Sequence, residues 1–461
     1  MRGAARAVLP VAGWVITRTV LLLWVLKVLH VAGPDVTSDV EVIYQGWFEV
    51  LKTGTYPLDD VTWQYPPAAA LAVLAPGSLP FLGYTKAFFL LSLLCDALVM
   101  GLLTYAGRRP EKSPRGVWFW VVGVPLLGPT AYARYDLMVT AVAVAALLAA
   151  ARRPALAGAL AGLGAMLKVW PLLVLAGMRH GAAARRSWLA AGAAVGGLLL
   201  AFGAAMPGAL AFLTFQRDRG TEVESLGALV FHVARHYGWE GEVLLNYGSV
   251  EFLGPYVPLV SRAALALTAM AFAWLLVWRL RAREFTAGTA ADAAFTAVLL
   301  FTTTSRVISP QYMIWLVGLA AVCMVFRTSR MALPACLVLI ATGVTYLEFP
   351  IWFADVVTSS PRGIALLAVR NGLLVAASLL ACRRLWTSTV PGAADRAGAG
   401  GSASPDQPVR DRELQGFRGG TPPAQARRVR RYARHSAVKA AREVPRTSRR
   451  ASSRPWRGTA R

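Results

Sequence analysis

The chain has 461 residues, 56% of them hydrophobic and only 16% charged, with a net charge of +24 and a mean hydropathy of +0.49. A soluble chain is usually about 45–50% apolar and about 25% charged. Charge-free runs such as Leu137 to Ala151 and Met331 to Leu347 are too numerous for one water-soluble core, so lipid must solvate them. Nor does the positive charge point to nucleic acid. From Arg383 to Arg461 there are 19 Lys/Arg against 5 Asp/Glu, a net +14, and much of the remainder lies in short connectors between apolar runs. That distribution fits basic segments held on the cytoplasmic side beside anionic lipid.

Arg2 and Arg6 place the N-terminus inside. The first helix is predicted from Val8 to Val31, interrupted by Arg18 and Lys27; it is too long for a signal-peptide core and reads as an uncleaved anchor. A long polar first outer loop follows, Ala32 to Tyr65, with a helix expected over Val40 to Leu51. Pro66 to Leu82 is apolar but short and Pro-rich, and reads as interfacial or re-entrant. Lys86 to Tyr105 returns to Arg108, Arg109, Lys112 and Arg115. Val117 to Gly128 exits, Tyr132 to Asp136 is an outer turn, and Leu137 to Ala151 returns to Arg152 and Arg153.

Pro154 to Met178 is predicted as two short passes turning near Lys168 to Pro171, because Arg179, Arg185 and Arg186 again read as inside. Trp188 to Ala205 exits, Met206 to Tyr256 forms a long outer loop, and Val257 to Trp278 returns. Ala290 to Thr304, Gln311 to Phe326, Ala332 to Tyr346 and Gly363 to Cys382 complete about twelve crossings, with both termini cytoplasmic. The predicted fold is an all-α, polytopic transmembrane bundle over residues 1–386. From 387 to 461 the composition turns to Gly, Ser, Pro, Asp and Arg, predicting a disordered basic cytoplasmic tail; Gln425 to Val444 has the alternative of a basic amphipathic helix at the lipid surface. Cys95, Cys323, Cys336 and Cys382 sit in or beside apolar runs without metal spacing, so neither a disulfide framework nor a metal is expected.

In this topology the unusual polar residues gather on the outer side: Asp35 and Asp39; Tyr132, Arg134 and Asp136; Lys168; Gln216-Arg217-Asp218-Arg219; His232 and His236; Ser305-Arg306 with Gln311-Tyr312; and Glu348 and Asp355. Outer arginines and lysines oppose the usual charge bias, and ionisable groups at membrane depth are costly enough to suggest function. Cations facing carboxylates suit an anionic phosphate beside a hydroxyl that must be deprotonated.

An acidic residue soon after the first helix, then Tyr44, Gly54-Thr55-Tyr56-Pro57 and Trp63-Gln64-Tyr65-Pro66-Pro67, resembles the first outer loop of the GT-C glycosyltransferases. Arg134-Tyr135-Asp136, Gly162 to Pro171 with Lys168, and Ser309-Pro310-Gln311-Tyr312 resemble the middle helices and late turn of the polyprenyl-phosphate-mannose-dependent α-mannosyltransferases, glycosyltransferase family 87. The resemblance spans roughly residues 8 to 385. It implies a hexosyltransferase of the cell envelope that moves a hexose, mannose by family, from a polyprenyl-phosphate donor to a glycan or glycolipid acceptor, extracytoplasmically and with inversion. An aspartate serves as base and cations meet the lipid phosphate. No cofactor is implied.

Asp39 is the first candidate base and Asp35 the second; the alternative is that Ser38 or Asp39 caps the following helix. Lys168, Arg306, Arg134 and His232 are candidates for the donor phosphate, and Tyr44, Tyr65, Asp136, Gln311 and Tyr312 for substrate contact. Plain alternatives remain for each: Lys168 snorkelling, Arg306 anchoring at the interface, Arg134 pairing with Asp136. His232 and His236 have i, i+4 spacing, but Val233 stands where a zinc helix needs Glu. Competing functions are a transporter or flippase, which needs polar groups near the midplane; a scaffold, which does not need outer cations; and transfer of a lipid-linked pentose.

Overall fold

In the computed structural model, residues 2–30, 32–215 and 220–392 are described, with side chains of 2–7, 214 and 215 excepted. The expected tail beyond Gly392, its 425–444 segment, and Gln216 to Arg219 lie outside them. The described chain is helical: α1 Arg2–Val25, a π-helix Asp39–Tyr44 continuing into α2 Gln45–Leu51, α3 Ala69–Leu74, α4 Tyr84–Gly107, α5 Arg115–Gly123, α6 Asp136–Ala149, α7 Pro154–Leu167 and α8 Ala182–Ala205. After these come α9 Phe212–Phe215, α10 Ala228–Ala234, α11 Val257–Arg281, α12 Thr289–Thr303, α13 Tyr312–Val325, α14 Ala332–Tyr346, α15 Phe353–Val357 and α16 Pro361–Thr389.

Among the described residues six helices are long and apolar enough to cross a membrane: Val8–Val25, Tyr84–Gly107, Ala182–Ala205, Val257–Arg281, Ala332–Ile351 and Pro361–Thr389. Five shorter apolar helices, Ala69–Ser78, Asp136–Ala149, Pro154–Leu167, Thr289–Thr303 and Tyr312–Val325, accompany them. The short ones are mostly interior. Every residue of α13 from Met313 to Cys323 is buried, whereas α8 is left almost entirely to lipid. A helix shorter than the roughly 20 residues of a full span is tolerable where it is walled by protein, which is why these segments read as weak spans in sequence. Small residues let α7 and α8 approach. A Cβ at Gly158 would overlap the Ser187 carbonyl, and one at Gly162 would lie 2.6 Å from the Ala191 carbonyl oxygen; this is the small-xxx-small packing by which membrane helices gain contact without a hydrophobic driving force.

Several expectations are corrected. The first helix stops at Val25, before Val31, because Lys27 takes a left-handed backbone, φ 60°. The return leg after Lys168 is a 3-10 turn, Trp170–Leu175, rather than a helix; Lys168 is extended and Pro171 follows at once. The long loop between α8 and α11 also contains a small antiparallel sheet, β1 Thr221–Glu222, β3 Ser249–Leu253 and β2 Glu242–Asn246, in the order β1-β3-β2. It closes a second, smaller core of Val223, Phe231, Phe252, Val356 and Leu367.

The two ends of the bundle differ. At one, the basic connectors are tied together: Ser113 N donates to Val325 O at 2.9 Å, Arg283 N to Thr389 O at 2.8 Å, Arg384 Nη1 to Arg330 O at 2.6 Å, and Arg279 Nη2 to Met178 O. At the other, the π-helix after α1 and the C-terminal end of α7 meet the N-terminal ends of α6 and α13.

Candidate active site

Asp39 opens the π-helix. Ser38 stands at its N-cap position but gives its hydroxyl to Asp35 O at 2.8 Å and caps nothing. The Asp39 carboxylate turns instead to Arg134: Oδ2 accepts from Nη2 at 2.9 Å, with Asp39 31% and Arg134 10% exposed. Arg134 also donates to Val36 O at 2.9 Å and Ala133 O at 2.7 Å, so it fastens the segment after α1 to the turn before α6. Burial works against its charge, yet the Asp39 carboxylate prevails and holds Arg134 above its ordinary value.

Asp35 is otherwise committed. It accepts from Thr37 N at 2.9 Å and Thr37 Oγ1 at 2.7 Å, closing a local turn, and pairs with Lys27 at 2.9 Å at half exposure.

Lys168 terminates α7 and drops into an aromatic box. Its Nζ lies 5.3 Å from the Tyr65 ring centre, 5.1 Å from Tyr135, 5.5 Å from Tyr312 and 5.1 Å from Trp315, within the range of cation–π attraction. It also donates to Asp136 Oδ1 at 2.7 Å, where Trp315 Nε1 donates at 2.7 Å. The sequence alternative that Arg134 pairs with Asp136 is therefore corrected: Asp136 serves Lys168 and Arg134 serves Asp39. Lys168 does not snorkel outward either, being 12% exposed among rings.

Tyr65 stands edge-on to Tyr135 at 5.2 Å and belongs to the box. Tyr312 stacks on Trp315 at 3.9 Å, and Gln311 sits half-buried at the N-cap of α13. Tyr44 is 2% exposed, stacked on Trp47 and packed against Phe88 and Tyr135, in the wall of the interior. Arg306 Nη1 donates to Ser261 Oγ at 3.3 Å, and Arg306 O accepts from Glu222 N at 3.1 Å. Ser309 Oγ donates to Glu222 Oε1 at 2.8 Å, so β1 braces the turn that carries Arg306.

His232 belongs to a different part of the fold. It is buried in the small core, with Nδ1 2.8 Å from Ser359 Oγ, Nε2 2.8 Å from Val223 O, and its ring edge-on to Phe252. Both nitrogens are occupied, leaving no edge for a phosphate, and burial pushes its pKa down to about 4. His236 bonds Ser359 O at 2.8 Å, so the i, i+4 pair serves the loop after α15.

Sequence reasoning passed over Tyr135 and Trp315. A signal existed for Trp315, three residues beyond Tyr312 on one helix face. Tyr135 could be placed only once α6 and α7 were seen to meet. The assembled group offers a half-exposed carboxylate, its arginine partner, and a boxed lysine at one end of a helical membrane bundle. That is an arrangement able to accept a proton beside bound anionic charge.

The fold and the site are those of a helical integral-membrane protein with a polar site at its helix ends. The chain belongs to glycosyltransferase family 87, whose profile matches residues 63–310, more than half its length. Tyr65, Arg134, Asp136, Lys168 and Arg306 fall within that match and Asp39 precedes it. Two solved structures of ArnT from Cupriavidus metallidurans are similar at 15% identity. The apo state has TM-score 0.43, with 85% of this chain and 78% of that chain covered. The state bound to undecaprenyl phosphate has TM-score 0.42, with 86% and 79% covered. No curated protein matches this chain.

Proposed function

We propose that the protein transfers a hexose, mannose by the family resemblance, from a polyprenyl-phosphate donor to a glycan or glycolipid acceptor with inversion. The acceptor O–H gives its proton to Asp39 as its oxygen attacks the sugar C1. The bond from C1 to the phosphate oxygen breaks, and polyprenyl phosphate leaves with a charge met by Lys168 and Arg306. The observation carrying this reading is the placement of the Asp39–Arg134 pair, 2.9 Å, at the same helix ends as the boxed Lys168. Tyr65, Tyr312 and Asp136 line the sugar subsite in this scheme. Concentration of arginine and lysine in the connectors at the opposite end favours an extracytoplasmic site with both termini in the cytoplasm.

The test supplies membranes carrying the protein with labelled polyprenyl-phosphate-mannose, and separately with a polyprenyl-linked pentose, over a panel of acceptors. Mannose transfer lost in Asp39→Asn is the expected result. Transfer of the pentose alone would overturn the sugar assignment, and undiminished transfer by the variant would overturn the base.

A further inference from the structure

The basic end of the bundle holds a cavity that the transfer chemistry does not use. It has a volume of about 430 Å³ and is lined by Ser113, Arg115, Met324, Phe326, Arg327, Ser329 and Ala332. Two connectors form it, residues 108–114 before α5 and 326–331 before α14, and they are clipped together. Lys112 and Phe326 pair as an antiparallel bridge, Ser113 N donates to Val325 O at 2.9 Å, Arg327 Nε donates to Lys112 O at 3.0 Å, and Lys112 Nζ lies 3.6 Å from the Phe326 ring centre. The walls are thus fixed by backbone and side-chain contacts.

The residues lining the cavity include two arginines and no carboxylate. Among the described residues Arg115 has no carboxylate partner, and the terminal nitrogens of Arg327 have none. Ser113 Oγ accepts from Arg115 N at 3.2 Å, which leaves its proton free to be donated. Two acids stand close by and outside the lining: Glu111, exposed in the same connector beside Lys112, and Asp292, occupied by Ser329 Oγ at 2.5 Å and Arg330 N at 3.3 Å. Met324, Phe326 and Ala332 give the same cavity an apolar side. Two guanidinium groups and a hydroxyl facing an apolar wall, where helices leave the lipid, match a phosphate ester joined to an aliphatic body.

We propose that this cavity binds a phosphate group, and that its source is the headgroup of an anionic phospholipid in the surrounding leaflet. The site is independent of the transfer reaction, so neither reading depends on the other.

The experiment uses the full chain in phosphatidylcholine nanodiscs, with and without phosphatidylglycerol, and with inorganic phosphate as a separate arm. Melting temperature and the number of phosphatidylglycerol molecules retained in native mass spectrometry are read. Phosphatidylglycerol should raise the Tm of the wild type. Arg115→Gln with Arg327→Gln should weaken its apparent affinity about tenfold or more, as expected for losing charge-assisted hydrogen bonds. Ala332→Trp, at an exposed position, fills the cavity without removing charge; it should weaken binding similarly and decides the matter if the double variant fails to fold. Protection by inorganic phosphate equal to that by the lipid would overturn the headgroup as source while upholding the phosphate site. Wild-type lipid response in Ala332→Trp and the double variant would overturn the site itself.

Discussion

Arg18 Nε donates to Asp96 Oδ2 at 2.8 Å in the middle of the bundle, with the two side chains 1% and 0% exposed. Trp14 Nε1, Trp120 Nε1 and Tyr132 Oη complete the carboxylate at 3.0, 2.7 and 2.7 Å, and Arg18 reaches the carbonyls of Val121 and Trp120. Ionised groups at this depth persist only when paired and hydrogen-bonded. The pair also stands behind the candidate site: Arg18 lies in the helix that leads to Asp39, and Tyr132 is two residues before Arg134.

Removal of one partner leaves an uncompensated buried charge, at a cost of about 3–5 kcal/mol. Asp96→Asn should therefore lower the melting temperature sharply. Arg18→Met with Asp96→Leu should lower it less than either single change, since no charge is stranded. Thermal unfolding in detergent checks both; a double variant weaker than both singles would show that the network acts through hydrogen bonds and not through charge.

Asp39 and Asp35 are separated by four residues and by their partners. Asp39→Asn should reduce transfer by about 10²–10⁴-fold, the range for loss of a general base, with expression unchanged. Asp35→Asn should stay within a few-fold of wild type, because Asp35 is engaged with Thr37 and Lys27 at the surface. Steady-state transfer assays at matched protein level separate the two. Equal losses would mean that the turn they share, and not one carboxylate, limits activity.

The bundle was legible because apolar length and connector charge are local properties of the chain. Asp39, Arg134, Lys168 and Arg306 stood out for the same reason, as charged residues beside apolar runs. The partners were not legible. Arg134 lies two residues from Asp136 yet pairs with Asp39, ninety-five positions away, and nothing short of helix packing reveals that exchange. His232 stood out as a polar residue in the loop before α11, while one of the groups that occupies it, Ser359, comes from a distant part of the chain.

Lys168 gains its position from Asp136 and the four rings around it, so charge and placement can be tested apart. Lys168→Met keeps the length of the side chain and removes the cation, and should lower kcat by about 10²–10³-fold if the charge meets the leaving phosphate. Trp315→Phe keeps the ring beside Lys168 but removes the 2.7 Å bond to Asp136; a few-fold loss is expected. If Lys168→Met raises KM alone, the lysine holds the donor in the ground state and does not act on the transition state.

His232 gives the loop between α8 and α11 a pH dependence whose sign is fixed by its surroundings. Burial holds its folded pKa at about 4, against Val223 O, which favours the charged form, and with Arg235, which disfavours it; in the unfolded chain it titrates near 6.5. Between those values only the unfolded chain takes up the proton, so this group's contribution is fully present above about pH 6.5 and declines as the pH falls toward 4. The difference is about 3 kcal/mol at most. His232→Gln cannot titrate, so the stability gap between wild type and variant should be constant above pH 6.5 and narrow below it. Unfolding midpoints measured across pH 4 to 8 test this, and parallel curves throughout would show that His232 titrates at the same pH in the folded loop as in the unfolded chain.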